Sequence, residues 1–324
     1  MINFGISGVG AYLPEKVLTN EEMEGWGIGS NANWIRENTG VKERRIAGTN
    51  QSCSDLAALA AQDAISNTGI TPDKIDLIVV STITPDYLLP QTSSLVKKKI
   101  GAYNSACFDI QAGCAGFVFA ILSAVSYAQL NNEINNILVI GSDVMSKVTD
   151  WTDRRSCSIS GDGAGAIVLK REAFYGIKAT SMCHSDMDRT ECACLPIYYG
   201  NEGIEKKLLY SFEGRYLYEI LKTNVPKMVD KLLLKTGWKM EEIKMFVFPQ
   251  VNKHLVEDIC SAINIPYERT HTVMDKYGYT YNSCIPVTMH DALRSHTLCS
   301  GDKIIMVGAG AGNYFAGVAV EWSK

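Results

Sequence analysis

The chain has 324 residues, of which 46% are hydrophobic and 20% charged, with a formal net charge of −4 and ten cysteines. No broad basic field points to nucleic acid, and the length allows two domains or one large layered fold. The opening MINFGISGVGAYLPEK shows no charged leader ahead of an apolar run, and no stretch is read as the ~18 apolar residues that span a bilayer, so a cytoplasmic protein without membrane segments is expected.

In chain order, the first helix signal is SCSDLAALAAQDAISNTG, with Ser52 or Ser54 as N-cap and Gly69 as stop. Its apolar face is suited to covering a sheet. Short runs rich in Val and Ile follow: DLIVVSTIT, NILVIGSDV, GAGAIVLKR, and later KMFVFPQV and DKIIMVGAG. Their alternation with helices predicts an α/β fold with strands buried on both faces. Between them, CFDIQAGCAGFVFAILSAVSYAQ sets Cys114 after a β-like run and just ahead of a long apolar helix. A thiol there feels the positive end of the helix dipole, which favours the thiolate that attacks carbonyls. Ala112, Gly113, Ala115 and Gly116 leave room for a substrate, although a small core cysteine at a helix start is the plain alternative.

The segment 183–215 has little periodicity and is expected to form a pocket-shaping loop. Within it, Cys192 and Cys194 lack the spacing of a zinc site, so neither a metal nor a tightly bound cofactor is expected. Two Gly-rich stretches, SGDGAGAIVLKR and VGAGAGNYFAGVAVEW, look alike and suggest a duplicated unit. The expected halves are 1–171, carrying Cys114, and 172–324, carrying the loop.

The segments GVGAYLPEKVLTNEE, NWIRENTGVKERRIA, VVSTITPDYLLP, DIQAGCAGF, VIGSDVMSKVTDWTDR, GDGAGAIVL and GAGAGNYFAGVAVEW resemble the β-ketoacyl-acyl-carrier-protein synthase III family. These are thiolase-superfamily enzymes that start fatty acid and polyketide chains from an acyl-CoA. The resemblance implies a five-layered αβαβα thiolase-like fold of two similar halves, and a homodimer. It gives Cys114 the role of carrying the acyl group as a thioester, with an oxyanion hole from the backbone N–H groups of Cys114 and Gly312. It places the adenine of acyl-CoA, the implied substrate, between Trp34 and Arg154, although an arginine usual four residues beyond the tryptophan is Asn38 here. Leu89 falls where a family residue crosses the dimer to cap the acyl pocket.

Two departures matter for chemistry. The family's His-Gln-Ala-Asn reads Pro249-Gln250-Val251-Asn252, and its Gly-Asn-Thr reads Gly278-Tyr279-Thr280. In decarboxylative condensation the histidine and asparagine hold the malonyl thioester carbonyl as the enolate forms. Proline supplies no donor, and loss of one oxyanion donor costs about 2.7–4 kcal/mol. Acylation of Cys114 asks for less.

Tyr279 is either a replacement donor or a space-filler, and His184 is the spare imidazole within the loop region. His254 should point elsewhere, His271, His290 and His296 look peripheral, and Cys284 reads as a core cysteine. The expected function is an acyltransferase that loads Cys114 from acyl-CoA or a carrier-bound donor and acylates a second nucleophile in secondary metabolism, without malonyl decarboxylation. The alternatives are a non-catalytic partner subunit of a heteromeric ketosynthase, and a chain-initiating synthase in which Tyr279 is repurposed. An acyl carrier protein is a candidate partner, with Lys206, Lys207 and Arg215 as a basic patch that solvation explains equally well.

Overall fold

The computed structural model describes residues 3–172, 174–185, 192–195, 209–295 and 298–323. The strands are β1 (Asn3–Tyr12), β2 (Lys16–Thr19), β3 (Glu43–Ile46), β4 (Leu77–Ser81), β5 (Ala106–Ile110), β6 (Asn136–Asp143), β7 (Gly163–Glu172), β8 (Gly176–His184), β9 (Ala193–Cys194), β10 (Ser211–Phe212), β11 (Ile243–Val247), β12 (Lys303–Gly310) and β13 (Tyr314–Glu321). The α-helices are α1 (Asn20–Met23), α2 (Ala32–Thr39), α3 (Cys53–Ser66), α4 (Thr92–Ile100), α5 (Gly116–Leu130), α6 (Arg154–Cys157), α7 (Gly214–Thr236), α8 (Lys253–Ala262), α9 (Met274–Tyr277) and α10 (Cys284–Ser295).

Two sheets carry the molecule, ordered β1-β7-β6-β4-β5 and β8-β13-β12-β11. Their pairings correspond: β7 runs antiparallel to β1 and β6 as β13 does to β8 and β12, and β4 lies parallel to β6 as β11 does to β12. Helix α3 covers the outer face of the first sheet, α5 and α10 lie between the sheets, and α7 covers the outer face of the second. The result is the five-layered αβαβα thiolase-like arrangement.

Strand geometry explains why the apolar runs do not alternate. Successive side chains point to opposite faces, so Leu77 and Val79 enter the middle core with Phe117, Ile121 and Met306, while Ile78 and Val80 pack outward with Leu56 and Ala60 of α3. Both faces are covered, hence both must be apolar. The same logic corrects one expectation. Residues 113–130, which end in α5, make an 18-residue span apolar enough to cross a membrane by length and composition. Here that helix is the middle layer, touching β4 and β6 on one side and β12 and β13 on the other, which accounts for its apolar composition.

The β2–β3 hairpin with α1 and α2 forms a smaller lobe bearing Trp34. Arg44, fully buried, binds this lobe to the body by donating to Asn20 Oδ1 and to the Ser158 carbonyl, both at 2.8 Å. Burial lowers its pKa to about 10, so it remains a cation. The neighbouring Ile159 carbonyl accepts from Tyr279 N–H at 2.7 Å, which links the lobe to the site below.

Candidate active site

Cys114 lies in the connection between β5 and α5, where Gly113 has φ +54°. The β12–β13 turn presses against this connection. A Cβ on Gly310 would sit 2.6 Å from the Cys114 nitrogen, and one on Gly113 would sit 3.0 Å from the Ala311 nitrogen. A side chain at 310 would therefore displace the backbone that holds the thiol. Gly312, at the apex of the turn, has φ +82°, a conformation costly for other residues. A cavity of about 20 Å³ adjoins Cys114, lined by Tyr279, Tyr210, Ile159, Leu217 and Val251 among others. From the turn, Gly310 and Ala311 reach the described lining and Gly312 does not.

Tyr279 and Cys114 line the same cavity, and hydrogen bonding from the Tyr279 hydroxyl favours the Cys114 thiolate. Burial nevertheless pushes the thiol up to about 12, and the negative charge of Asp143 adds to the shift. This overturns the expectation of a ready thiolate. A helix terminus contributes about 0.3–1 kcal/mol, less than the ~1.4 kcal/mol of a single pKa unit, so desolvation wins and the proton stays on sulfur at neutral pH.

Asp143, at the end of β6, is fully buried, and burial raises its pKa to about 6. Four donors oppose that shift: Ile83 N–H at 2.8 Å, Asn282 N–H and Nδ2 at 2.9 Å each, and Thr82 Oγ1 at 3.0 Å. Above that pH it is a carboxylate held in place. The amide of Asn282 is committed at both ends, since its Oδ1 accepts from Ser81 Oγ at 2.7 Å. Gln250 donates to the His271 carbonyl and to Thr288 Oγ1, and accepts from Val273 N–H. Asn252 caps α8 by accepting from Leu255 N–H at 2.8 Å. None of these amides is therefore placed to take over from the missing donors. Pro249 is buried two residues beyond the end of β11.

The remaining candidates fall into two groups. Trp34 and Arg154 come together, with the guanidinium carbon 5.0 Å from the ring centroid and Arg154 Nη1 donating to the Gly29 carbonyl at 3.1 Å. Asn38 donates to the Trp34 carbonyl at 2.8 Å and brings no charge. Leu89 is 82% exposed, on the surface that also bears the edge strand β5. His184, by contrast, is not in a loop. It ends β8, paired with Tyr314, is exposed, and is not among the described residues lining the cavity.

His254 is exposed between the Glu37 carbonyl and Glu257. His271 pairs with Asp291 at 2.8 Å, and His290 with Asp63 at 3.3 Å. Cys284 is buried at the start of α10. Arg215 is exposed in the first turn of α7, whereas Lys206, Lys207, His296 and most of the 183–215 segment lie outside the described residues.

Sequence reasoning missed Tyr210, Tyr281 and Asp143. Tyr281 packs edge-on to Tyr210 at 5.6 Å and tilted on Tyr279 at 4.6 Å. The only available signal was the tyrosine pair in GYTYNSC, which does not say where the rings point.

A five-layered fold with a cysteine at the mouth of its middle helix defines a thiolase-fold protein. Residues 108–186 match the family model described as 3-oxoacyl-[acyl-carrier-protein (ACP)] synthase III, and residues 233–322 match that of its C-terminal part. The β-ketoacyl-[acyl-carrier-protein] synthase III of Caldanaerobacter subterraneus subsp. tengcongensis is 34% identical, over 99% of this chain and 98% of its own length. The crystal structure of 3-oxoacyl-[acyl-carrier-protein] synthase III from Aquifex aeolicus superposes with a TM-score of 0.91 at 32% identity, over 98% of this chain and 100% of that one. The priming β-ketosynthase of the R1128 polyketide biosynthetic pathway superposes with a TM-score of 0.92 at 26% identity, over 99% and 96%. This chain belongs to the β-ketoacyl-acyl-carrier-protein synthase III family.

Proposed function

We propose that the chain is a cytoplasmic acyltransferase of secondary metabolism. It takes an acyl group from acyl-CoA, or from a carrier-bound thioester, onto Cys114 and passes it to a nucleophile without malonyl decarboxylation. The observation that carries this reading is the cavity that Cys114 and Tyr279 line together, in a chain where proline replaces the family's histidine. The backbone turn around Gly310 supports acylation, while the side-chain donors that decarboxylation demands are reduced to one hydroxyl. The test is intact-protein mass after incubation with a panel of acyl-CoA thioesters. A gain of one acyl mass supports the reading, and no gain from any CoA or carrier-bound donor overturns it.

Acyl-CoA as donor is supported by the stacked Trp34 and Arg154. For adenine to enter, the guanidinium must leave the ring face and cover the far side of the base. Stacking of a base on an aromatic side chain is worth about 1–3 kcal/mol, so Trp34→Ala should weaken CoA binding about 5- to 150-fold by calorimetry. Unchanged affinity would place the nucleotide elsewhere.

A dimer is supported by β5, which is an edge of its sheet and therefore offers unpaired backbone groups. Tyr127 packs on Phe108 of this strand, and Tyr127, Tyr87, Leu88, Leu89 and Tyr103 are large exposed apolar side chains of the kind a second copy covers. Sedimentation should give twice the monomer mass, and a monomer at micromolar concentration would remove this part of the reading.

A further inference from the structure

The cavity beside Cys114 is small for an enzyme that holds acyl chains. A single water needs about 10–15 Å³ of such space, so about 20 Å³ admits a methyl group and little more. We infer that Tyr210 sets this limit, so that the chain accepts a two-carbon acyl thioester and discriminates against longer ones. The inference rests on the reading that Cys114 carries an acyl group.

Tyr210 is buried and lines the cavity together with Leu217 and Leu221 of α7. Its backbone is tied on both sides. Its own N–H donates to the Val148 carbonyl at 2.7 Å, and three residues on, Glu213 N–H donates to the Cys192 carbonyl at 2.7 Å. Between them, Ser211 and Phe212 pair with Cys194 and Ala193 in the β9–β10 ladder. The ring is held as firmly. It packs edge-on to Tyr281, whose hydroxyl bonds Ser160 Oγ at 2.7 Å and whose ring packs on Tyr279. Tyr279 and Tyr210 line the cavity and Tyr281 packs against both rings, so the wall is braced as one cluster. Such a wall is not a side chain that swings aside for a longer substrate.

The chemistry behind the wall supports the same role. Leu217 and Leu221 share the lining with Tyr210, so removing the phenol ring would extend the cavity along an apolar helix face suited to a hydrocarbon chain. In an apolar pocket of fixed size, one methylene changes specificity by about 10- to 200-fold.

The experiment follows the rate of Cys114 acylation by intact mass with acetyl-, butanoyl-, hexanoyl- and octanoyl-CoA, for the native protein, Tyr210→Ala and Tyr210→Phe. The native protein and Tyr210→Phe should load acetyl at least ~50-fold faster than hexanoyl. Tyr210→Ala should load hexanoyl at least ~10-fold faster than the native protein does, narrowing the native preference for acetyl. Comparable native rates for acetyl and hexanoyl would overturn the inference, whether or not the alanine variant folds. So would a folded Tyr210→Ala that loads acetyl normally and keeps the native preference. Loading by none of the four thioesters would overturn the acyl-carrying reading itself, and this inference with it.

Discussion

Replacing Cys114 with alanine is expected to abolish the acyl mass gain from every thioester that loads the native protein. The loss should be complete, because the step is a covalent exchange at one sulfur: the Cys114 sulfur bonds to the acyl carbon, and the carbon–sulfur bond to CoA breaks. The proton from Cys114 ends on the departing CoA thiolate, so the exchange needs no external base in net balance. That matters in a site whose thiol is held near 12. A thiolate formed there is rare but strongly nucleophilic, since thiol nucleophilicity rises with pKa.

Alanine also strands the Tyr279 hydroxyl without its sulfur acceptor, at a cost of about 1–3 kcal/mol. Cys114→Ser keeps an acceptor, and should lose loading while melting closer to the native temperature. A mass gain that persists in both variants would put the acyl group on another residue and end the present reading.

What the sequence reveals and conceals follows from the range of the interactions involved. The sheets are legible because each strand is buried on both faces, and the resulting Val- and Ile-rich runs are local signals. Cys114 is legible because the small residues around it and the helix after it are contiguous. The thiol's protonation state is not, because it sums burial with the charge of Asp143, which comes from a different strand, β6.

The commitments of the amides are equally hidden. Asn282 lies 201 residues from Ser81, and nothing in GYTYNSC shows that its side chain is engaged at both ends. The Trp34–Arg154 pair was foreseen only through the family resemblance. His184 is hard to place because a segment without clear periodicity reads as loop, although antiparallel pairing with β13 extends β8 as far as that residue. Composition misleads at α5 for a related reason: a helix enclosed by two sheets has no polar face to display.

Tyr279→Phe separates a hydrogen-bonding role from a space-filling one, since it removes only the hydroxyl. The Tyr279 donor lowers the Cys114 pKa against the upward push of burial, so its loss should raise the pKa further and shrink the thiolate fraction. Because the native thiol already titrates near 12, the loading rate should climb about tenfold per pH unit between 6 and 9, with no plateau. The phenylalanine variant should give a parallel line displaced downward by about 10²–10³, the usual effect of removing one preorganised donor from an active site. Overlapping profiles would make the ring a filler of the space left by a smaller residue. A plateau in the native profile near neutral pH would mean that the thiolate is stabilised by something other than this hydroxyl. The displacement should appear in the chemical step and leave CoA affinity unchanged, because Tyr279 lines the thiol cavity while the Trp34–Arg154 stack is formed by α2 and α6.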